Sequence, residues 1–431
     1  MSMNFRKLAF NLVDSMRGGL INTELKRLER SEIDKDFYNA EKSASMRTFL
    51  ASLRDVPSYK DLDMPKGLEQ FSVIQKKTIQ SDRSNFLSTA YQRGDLIKVS
   101  TSGSYGLPAE YYLTKQKKAQ QLAEVIHYGR KVGYDVGVKH MYIRSVVHKS
   151  AFKQYLQNEH YLGCKDLDDR FLQRAREVLK GRQVKVIIGF PTAISMIADY
   201  CLRKGDTKSS CSIKGVITSS ENLSEQQREI MKKAWGDIGI CSRYLTEEFG
   251  VLACQYEAGG DFLINSLNYH IEILKIDSDL PCREGEIGRI VVTDLHSFAN
   301  PLVRYDTGDL GLIERRETDE FGSLLTFKSL SGRGVQVIVT PSGELKYPLY
   351  LDAIMERFED SILQYQLIQE TKSDFRLLVI PKVPSIDGIL NDLNITMLRW
   401  LGEGAILNIE VVKSLEMLPS GKRPYVINKT L

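Results

Sequence analysis

Val184-Lys185-Val186-Ile187-Ile188-Gly189-Phe190 is a nearly continuous apolar run that follows a helical pattern. Apolar residues on both faces mark a strand buried on both sides, as in a parallel sheet covered by helices. The same alternation continues outward. Upstream, Asp168–Leu179 reads as a helix closed by Gly181; downstream, Pro191 ends the strand and Thr192–Tyr200 starts a helix. Ile213–Thr218 is a second such strand and runs into the polar cluster Ser219-Ser220-Glu221-Asn222. Ser224 and Gln227 then make a capping box for a helix to Trp235. Lys117–Val132 reads as a helix with Gly133 at its C′ position, and Val136–Ile143 as a strand. Helix and strand alternate, so the first two-thirds of the chain is α/β. Ligands of such sheets sit at the carboxyl ends of the strands, where Ser219–Asn222 falls.

The next block is richer in strands, with Phe262–Asn265, Ile271–Ile276 and Gly288–Thr293 reading as antiparallel. After Arg333 the character changes again. Val335–Thr340, Ile362–Gln369, Phe375–Pro381 and Asn408–Ser414 read as strands, Leu349–Phe358 and Ile386–Leu401 as helices. That is a small α+β domain of about one hundred residues. The boundary is placed near Gly332–Gly334, giving a large domain over 1–332 and a small one over 333–431.

At the N-terminus, Phe5, Leu8, Leu12, Val13 and Met16 recur at helical spacing, which predicts an amphipathic helix packed on the domain. Leu25 to about Asp61 is charged and helical in pattern. No signal-peptide core or membrane-length apolar stretch is seen. The chain has 431 residues, more than one ordinary core holds, which points to two domains. Its 59 Lys+Arg against 55 Asp+Glu are too balanced, and too scattered, to argue for nucleic acid. The six cysteines (Cys164, Cys201, Cys211, Cys241, Cys254, Cys282) form no C-x-x-C pair, and the six histidines no metal spacing. Scattered cysteines fit a reducing cytoplasm, the expected location.

Ser100-Thr101-Ser102-Gly103-Ser104-Tyr105-Gly106-Leu107-Pro108 alternates hydroxyls with glycines. Glycines let a backbone approach a phosphate, and successive N–H groups cradle its oxygens. No Gly-Lys-Ser/Thr follows, so it is not a Walker loop. Four later stretches want the same ligand: Tyr244-Leu245-Thr246-Glu247-Glu248-Phe249-Gly250, Arg304-Tyr305-Asp306-Thr307-Gly308-Asp309-Leu310, Ser331-Gly332-Arg333 and Pro419-Ser420-Gly421-Lys422-Arg423.

In this order the five stretches resemble the adenylate-forming superfamily of acyl-CoA ligases, peptide-synthetase adenylation domains and luciferases. Within it the chain looks most like the phenylacetate–CoA ligase branch and its CapK-like members from surface-polysaccharide gene clusters. The resemblance implies a large domain of parallel sheets and helices with a smaller strand-rich subdomain, and a small mobile C-terminal domain. It implies that ATP and a small carboxylic acid, aromatic acids among the options, give an acyl-AMP and pyrophosphate. The acyl group then passes to a thiol such as coenzyme A, or to an amine or hydroxyl. By resemblance, Thr101, Ser102, Gly103, Ser104 and Gly106 hold the β- and γ-phosphates, and Thr246 reaches the α-phosphate. Glu248 helps hold Mg²⁺, with Glu247 as the competing carboxylate. Tyr244 stacks near the adenine or the acyl group, Ser220, Glu221 and Asn222 line the adenine, and Asp309 and Arg333 take the ribose. Lys422 bridges the acyl carboxylate and the α-phosphate, while Arg304 is structural. Phe190, Pro191, Tyr142, Tyr244 and Phe249 are placed at the acyl pocket, and no structural metal is expected.

The chain departs from its relatives at three places. Leu107 stands where many carry Lys, Leu245 where many carry Gly, and Gly334-Val335-Gln336 where acidic residues follow the hinge arginine. A degenerate member that binds nucleotide without turnover is the alternative reading. A phosphotransferase built on the Gly-rich loop is a third. Oligomeric state is left open.

Overall fold

The computed structural model describes residues 4–60, 67–100, 109–144, 149–164, 167–331, 338–346, 351, 354–355, 357–358, 360–415 and 425–430. The chain divides into two compact units, one reaching Ser329 and one from Leu330 to Leu431.

The larger unit begins with helices α1 (Phe5–Met16), α2 (Leu20–Ser31) and α3 (Lys35–Ser52). Then come β1 (Ile74–Gln75), α4 (Lys76–Ser81) and the hairpin β2 (Ile97–Ser100) with β3 (Glu110–Leu113). The α/β part follows as α5 (Lys115–Arg130), β4 (His140–Arg144), α6 (Ala151–Gln157), β5 (Glu159–Gly163), α7 (Asp169–Gly181), β6 (Val186–Gly189), α8 (Pro191–Arg203), β7 (Gly215–Ser219), α9 (Glu225–Trp235) and β8 (Gly239–Thr246). After it, β9 (Gly250–Gln255), β10 (Phe262–Ile264), β11 (Tyr269–Leu274), β12 (Ile287–Asp294), β13 (Tyr305–Leu312), β14 (Thr326–Phe327) and β15 (Ser329–Ser331) complete two sheets.

The main sheet runs β14-β10-β9-β8-β7-β6-β4-β5. It is parallel from β5 to β8, as the apolar runs predict, and antiparallel beyond, where β9 folds back on β8. Alternate residues of its strands face opposite layers, the period of a pleated strand. Met141, Ile143, Ile187, Val216 and Ile240 pack under α7, α8 and α9. Val186, Ile188, Ile217 and Cys241 face the other way, toward Val125 and Tyr128 of α5. The expected caps are present: Asp168 caps α7, Ser224 and Gln227 form the capping box of α9, Pro191 is the first residue of α8, and Gly133 has a φ of +85°. The second sheet, β1-β13-β12-β11 with β15 on β13, carries the strand-rich block.

The N-terminal helix forms where predicted but does not pack by its apolar face. Phe5 is 73% exposed, Leu12 64% and Met16 80%. The polar side docks instead. Asn4 Nδ2 donates to Val136 O (2.9 Å) and Lys7 pairs with Asp135 (2.7 Å). Asp14, the buried residue of α1, accepts from Ile21 N and Asn22 N at the start of α2.

In the smaller unit, β18 (Ile362–Gln369), β19 (Asp374–Pro381), β20 (Ile406–Val411) and β21 (Val426–Asn428) form a sheet in the order β20-β19-β18-β21. The hairpin β16 (Ile338–Val339) and β17 (Leu345–Lys346) precedes it, and α10 (Asp387–Leu401) buries Leu393, Met397 and Leu401 in its core. The expected helix over Leu349–Phe358 lies mostly outside the described residues. β21 was not legible in the sequence.

Candidate active site

The motif after β7 and the hairpin β8–β9 are built at the carboxyl ends of the parallel strands. Ser219 is the register partner of Arg243, so Ser220–Asn222 leave β7 beside the end of β8. Ser220 has a φ of +73°, a left-handed conformation that a serine adopts only when its surroundings impose it. Glu221 Oε2 accepts from Thr192 N (3.3 Å) at the start of α8, so this carboxylate serves the helix terminus.

The tip of the β8–β9 hairpin is held by a buried polar cluster. Gly250 sits at φ +115°, which only glycine takes without strain. Gln121 Nε2 donates to Glu247 O (3.1 Å), Tyr269 Oη to Phe249 O (2.6 Å), and Val251 N to Glu124 Oε2 (3.0 Å). Thr246 Oγ1 accepts from Phe249 N (3.2 Å), closing the turn. Glu124 Oε1 also accepts from Gln120 Nε2, Asn265 Nδ2 and Asn268 Nδ2. Burial pushes the Glu124 carboxyl up, and nearby Lys117 pulls it down. Lys117 in turn pairs with Asp294 (2.7 Å), both fully buried. The turn that carries the two glutamates is thus fixed from behind on three sides. Within it Glu248 is buried and Glu247 exposed.

The Arg304–Leu310 heptad is mostly strand β13, and its side chains explain its spacing. Thr307 Oγ1 donates to Ile290 O (2.9 Å) and accepts from Asp309 N (3.1 Å). Asp306 accepts from Gly308 N (2.8 Å) and pairs with Arg289 (2.8 Å). Arg304 has a φ of +45°; its guanidinium bonds Glu272 through Nε and Nη2 (both 2.9 Å) and Phe71 O (2.8 Å). These bonds tie it to its neighbours, so its role in the structure is architectural. Asp309 is left to face β8, where Tyr244 Oη donates to its Oδ2 (2.6 Å). Both residues are buried, so this is a charge-assisted bond in a poorly solvated place. The phenol of Tyr244 therefore points at the carboxylate, with Phe327 edge-on against its ring.

Of the expected site residues, Tyr244 and Asp309 are in contact, Thr246 and Glu248 share the adjoining turn, and Ser220, Glu221 and Asn222 flank them one strand over. Thr101, Ser102, Gly103, Ser104, Gly106, Arg333 and Lys422 lie outside the described residues. Among the acyl-pocket expectations, Phe249 is instead a core residue, fully buried between Tyr269 and Tyr305. Phe190 and Pro191 bury into the layer under α8. Tyr142 does face the α5 side of the sheet.

The cluster behind the turn was missed in the sequence. Lys117, Gln120, Gln121, Glu124 and His127 recur at helical spacing on α5, which reads as a solvated face, yet all are buried. Among the described residues, no group of three or more His, Cys, Asp or Glu is placed to hold a metal. A cation here would share one carboxylate with a nucleotide's phosphates, which suits Mg²⁺ and its preference for few protein ligands.

No known protein-family profile matches the sequence. The chain has the fold of the adenylate-forming acyl-CoA ligases. It superposes on a 2-hydroxyisobutyryl-CoA ligase, solved in the postadenylation state with 2-HIB-AMP, at a TM-score of 0.70 and 13% identity, over 92% of this chain and 90% of that one. The anthranilate CoA ligase AuaEII with anthranoyl-AMP gives 0.54 at 14% identity, covering 78% and 66%. ATP-bound MatB from Rhodopseudomonas palustris gives 0.53 at 15% identity, covering 80% and 68%. In sequence the chain is similar to Protein CapK of Staphylococcus aureus, 21% identical over 374 residues, spanning 84% of this chain and 80% of that protein. No described helix is long and apolar enough to cross a membrane.

Proposed function

We propose that the protein is an ATP-dependent, AMP-forming ligase that activates a small carboxylic acid. The observation that carries this reading is the buried Asp309 of β13, fixed by its backbone bond to Thr307 and meeting Tyr244 at the carboxyl end of β8, in a chain with this fold. A carboxylate has two oxygens suited to a cis-diol, so Asp309 would accept hydrogen bonds from ribose hydroxyls. Thr246 would meet the α-phosphate and Glu248, or Glu247 beside it, the Mg²⁺ that accompanies ATP. Ser220 and Asn222 would line the base, with Glu221 holding that segment to α8. Thr101, Ser102, Gly103, Ser104, Gly106, Arg333 and Lys422 carry the roles that the resemblance implies.

In the first half-reaction a carboxylate oxygen attacks the α-phosphorus, the bond to the β-phosphate oxygen breaks, and pyrophosphate leaves. In the second, a thiol, amine or hydroxyl attacks the acyl carbon, loses its proton, and AMP leaves. The protein's task in the first step is to neutralise and align an anion attacking an anion. An amine or hydroxyl acceptor, in surface-polysaccharide synthesis, is what the resemblance to CapK-like members implies. The fold supports coenzyme A equally. Domain 333–431 would bring Lys422 as the charge for adenylation and withdraw it afterwards.

ATP–pyrophosphate exchange across aryl, hydroxy, amino and short fatty acids tests the reading. Acid-dependent exchange is expected. ATP binding with no exchange for any acid would favour the degenerate, binding-only member that Leu107 suggests.

A further inference from the structure

Three arginines are buried among the described residues: Arg228, Arg243 and Arg304. Two are held by protein acceptors, although Arg228 Nε makes no hydrogen bond. Arg304 holds Glu272 and Phe71 O, and Arg228 holds Ile240 O, Tyr256 O and Gln255 Oε1. Arg243 differs. Its side chain is 93% buried by its 7% exposure, and its Nε and Nη1 have no hydrogen-bond partner. No described carboxylate forms an ion pair with it. Leaving a guanidinium desolvated and unpaired is costly, so such a group is kept where something else completes it.

Its position says where that partner would sit. Tyr142, Ile188, Ile217 and Cys241 are register partners across β4, β6, β7 and β8, and this row faces α5. Two residues further along each strand, on the same face, the next row carries Arg144, Ser219 and Arg243. Arg144 and Arg243 therefore stand on one layer at the carboxyl ends of the strands. The intervening β6 and β7 separate their backbones by three strand spacings, about 14 Å. Arg144 lies over the Tyr142 ring (5.1 Å), and Tyr161 packs against Tyr142 (5.3 Å). The Arg144 guanidinium is taken up by the Tyr142 hydroxyl, to which its Nε (3.0 Å) and Nη2 (2.5 Å) donate, whereas Arg243 has no such acceptor at Nε or Nη1.

Resting on the adenylation reading above, we infer that the acid this protein activates carries a second acidic group, carboxylate or phosphate, that is seated on Arg243. Arg243 offers such an anion charge-assisted donors at Nε and Nη1, which an aromatic or aliphatic monoacid has no second acceptor to meet. The site thus selects by leaving Arg243 unpaired when the wrong acid binds, the strongest form of polar discrimination.

The test is pyrophosphate exchange with matched probes: butyrate, succinate and phosphonopropionate, and benzoate, isophthalate and phosphonobenzoate. The protein is expected to favour a second-acid probe over its monoacid mate by about 10- to 100-fold in kcat/KM. The two kinds of second acid separate carboxylate from phosphate. In Arg243→Met the preference ratio collapses toward one; Arg243→Lys, which keeps the charge but loses the planar donor set, retains part of it. Monoacid preference in the natural protein overturns the inference and leaves the adenylation reading standing. Equal loss with both kinds of acid in Arg243→Met also overturns it, by placing the guanidinium on the shared carboxylate. No exchange with any acid overturns the adenylation reading and this inference with it.

Discussion

Replacing Gly250 by alanine tests how the motif-bearing turn is held. The residue sits at φ +115°, and a Cβ there would lie 2.4 Å from Glu124 Oε2 and 3.0 Å from Tyr269 Oη. The backbone term alone is of order 1–3 kcal/mol. Glu124 cannot swing away freely, because it holds Val251 N and three side-chain amides. Displacing it leaves buried donors unpaired, a further 1–3 kcal/mol or so. The sum is about 2–6 kcal/mol of destabilisation of the larger unit. Urea unfolding followed by a probe in that unit reads it, with the smaller unit's transition scored separately. Pyrophosphate exchange should fall as well, because Glu247 and Glu248 ride on the same turn. An alanine variant whose midpoint matches the natural protein would refute the account of the turn.

Further outcomes follow from the site. Asp309→Ala is expected to weaken ATP binding about 10- to 100-fold, the worth of charge-assisted bonds to the ribose; unchanged affinity by calorimetry removes Asp309 from that role. Glu248→Gln is expected to raise the Mg²⁺ concentration needed for half-maximal exchange, whereas the same shift in Glu247→Gln alone would move the metal to the exposed neighbour. Lys422→Ala is expected to slow acyl-AMP formation at least 100-fold or so while sparing acyl transfer from preformed acyl-AMP; equal loss in both steps refutes that division. The Glu32 carboxyl, bonded to His127 and then Lys131, is held down from 4.5 to about 2, tying α2 to α5. Its folded-state pKa is depressed, so its contribution is present above pH 4.5 and fades as pH falls toward 2. The protection of α2 amides relative to their intrinsic exchange rates should fall over that window, and Glu32→Gln should flatten the change.

The parallel strands were legible because both of their faces are apolar, as in Val184–Phe190, and because Asp168, Ser224 and Pro191 punctuate their helices. The Arg304–Leu310 motif was legible as chemistry but not as a strand. Its Asp, Thr and Gly residues suggest a turn, and only their bonds to Ile290 and Arg289 place them on a sheet. The apolar spacing of α1 pointed to packing, yet Asn4, Lys7 and Asp14 dock the helix by its polar side. Periodicity reports a face, not which face is covered. The same ambiguity hid the Glu124 cluster, since a polar stripe on α5 looks solvated until Lys117, Asp294, Tyr269 and Asn268 converge on it. Arg243 was likewise invisible: in Ser242-Arg243-Tyr244 it reads as an ordinary strand residue, and only its burial without a partner marks it.

The central claim is that a carboxylate attacks the α-phosphorus of ATP. The direct measurement is a complete turnover with an acid whose carboxylate oxygens are isotopically labelled, followed by mass spectrometry of the nucleotide product. The account predicts AMP bearing one labelled oxygen, taken from the acid when the acyl group is transferred. Unlabelled ADP with free phosphate would contradict it.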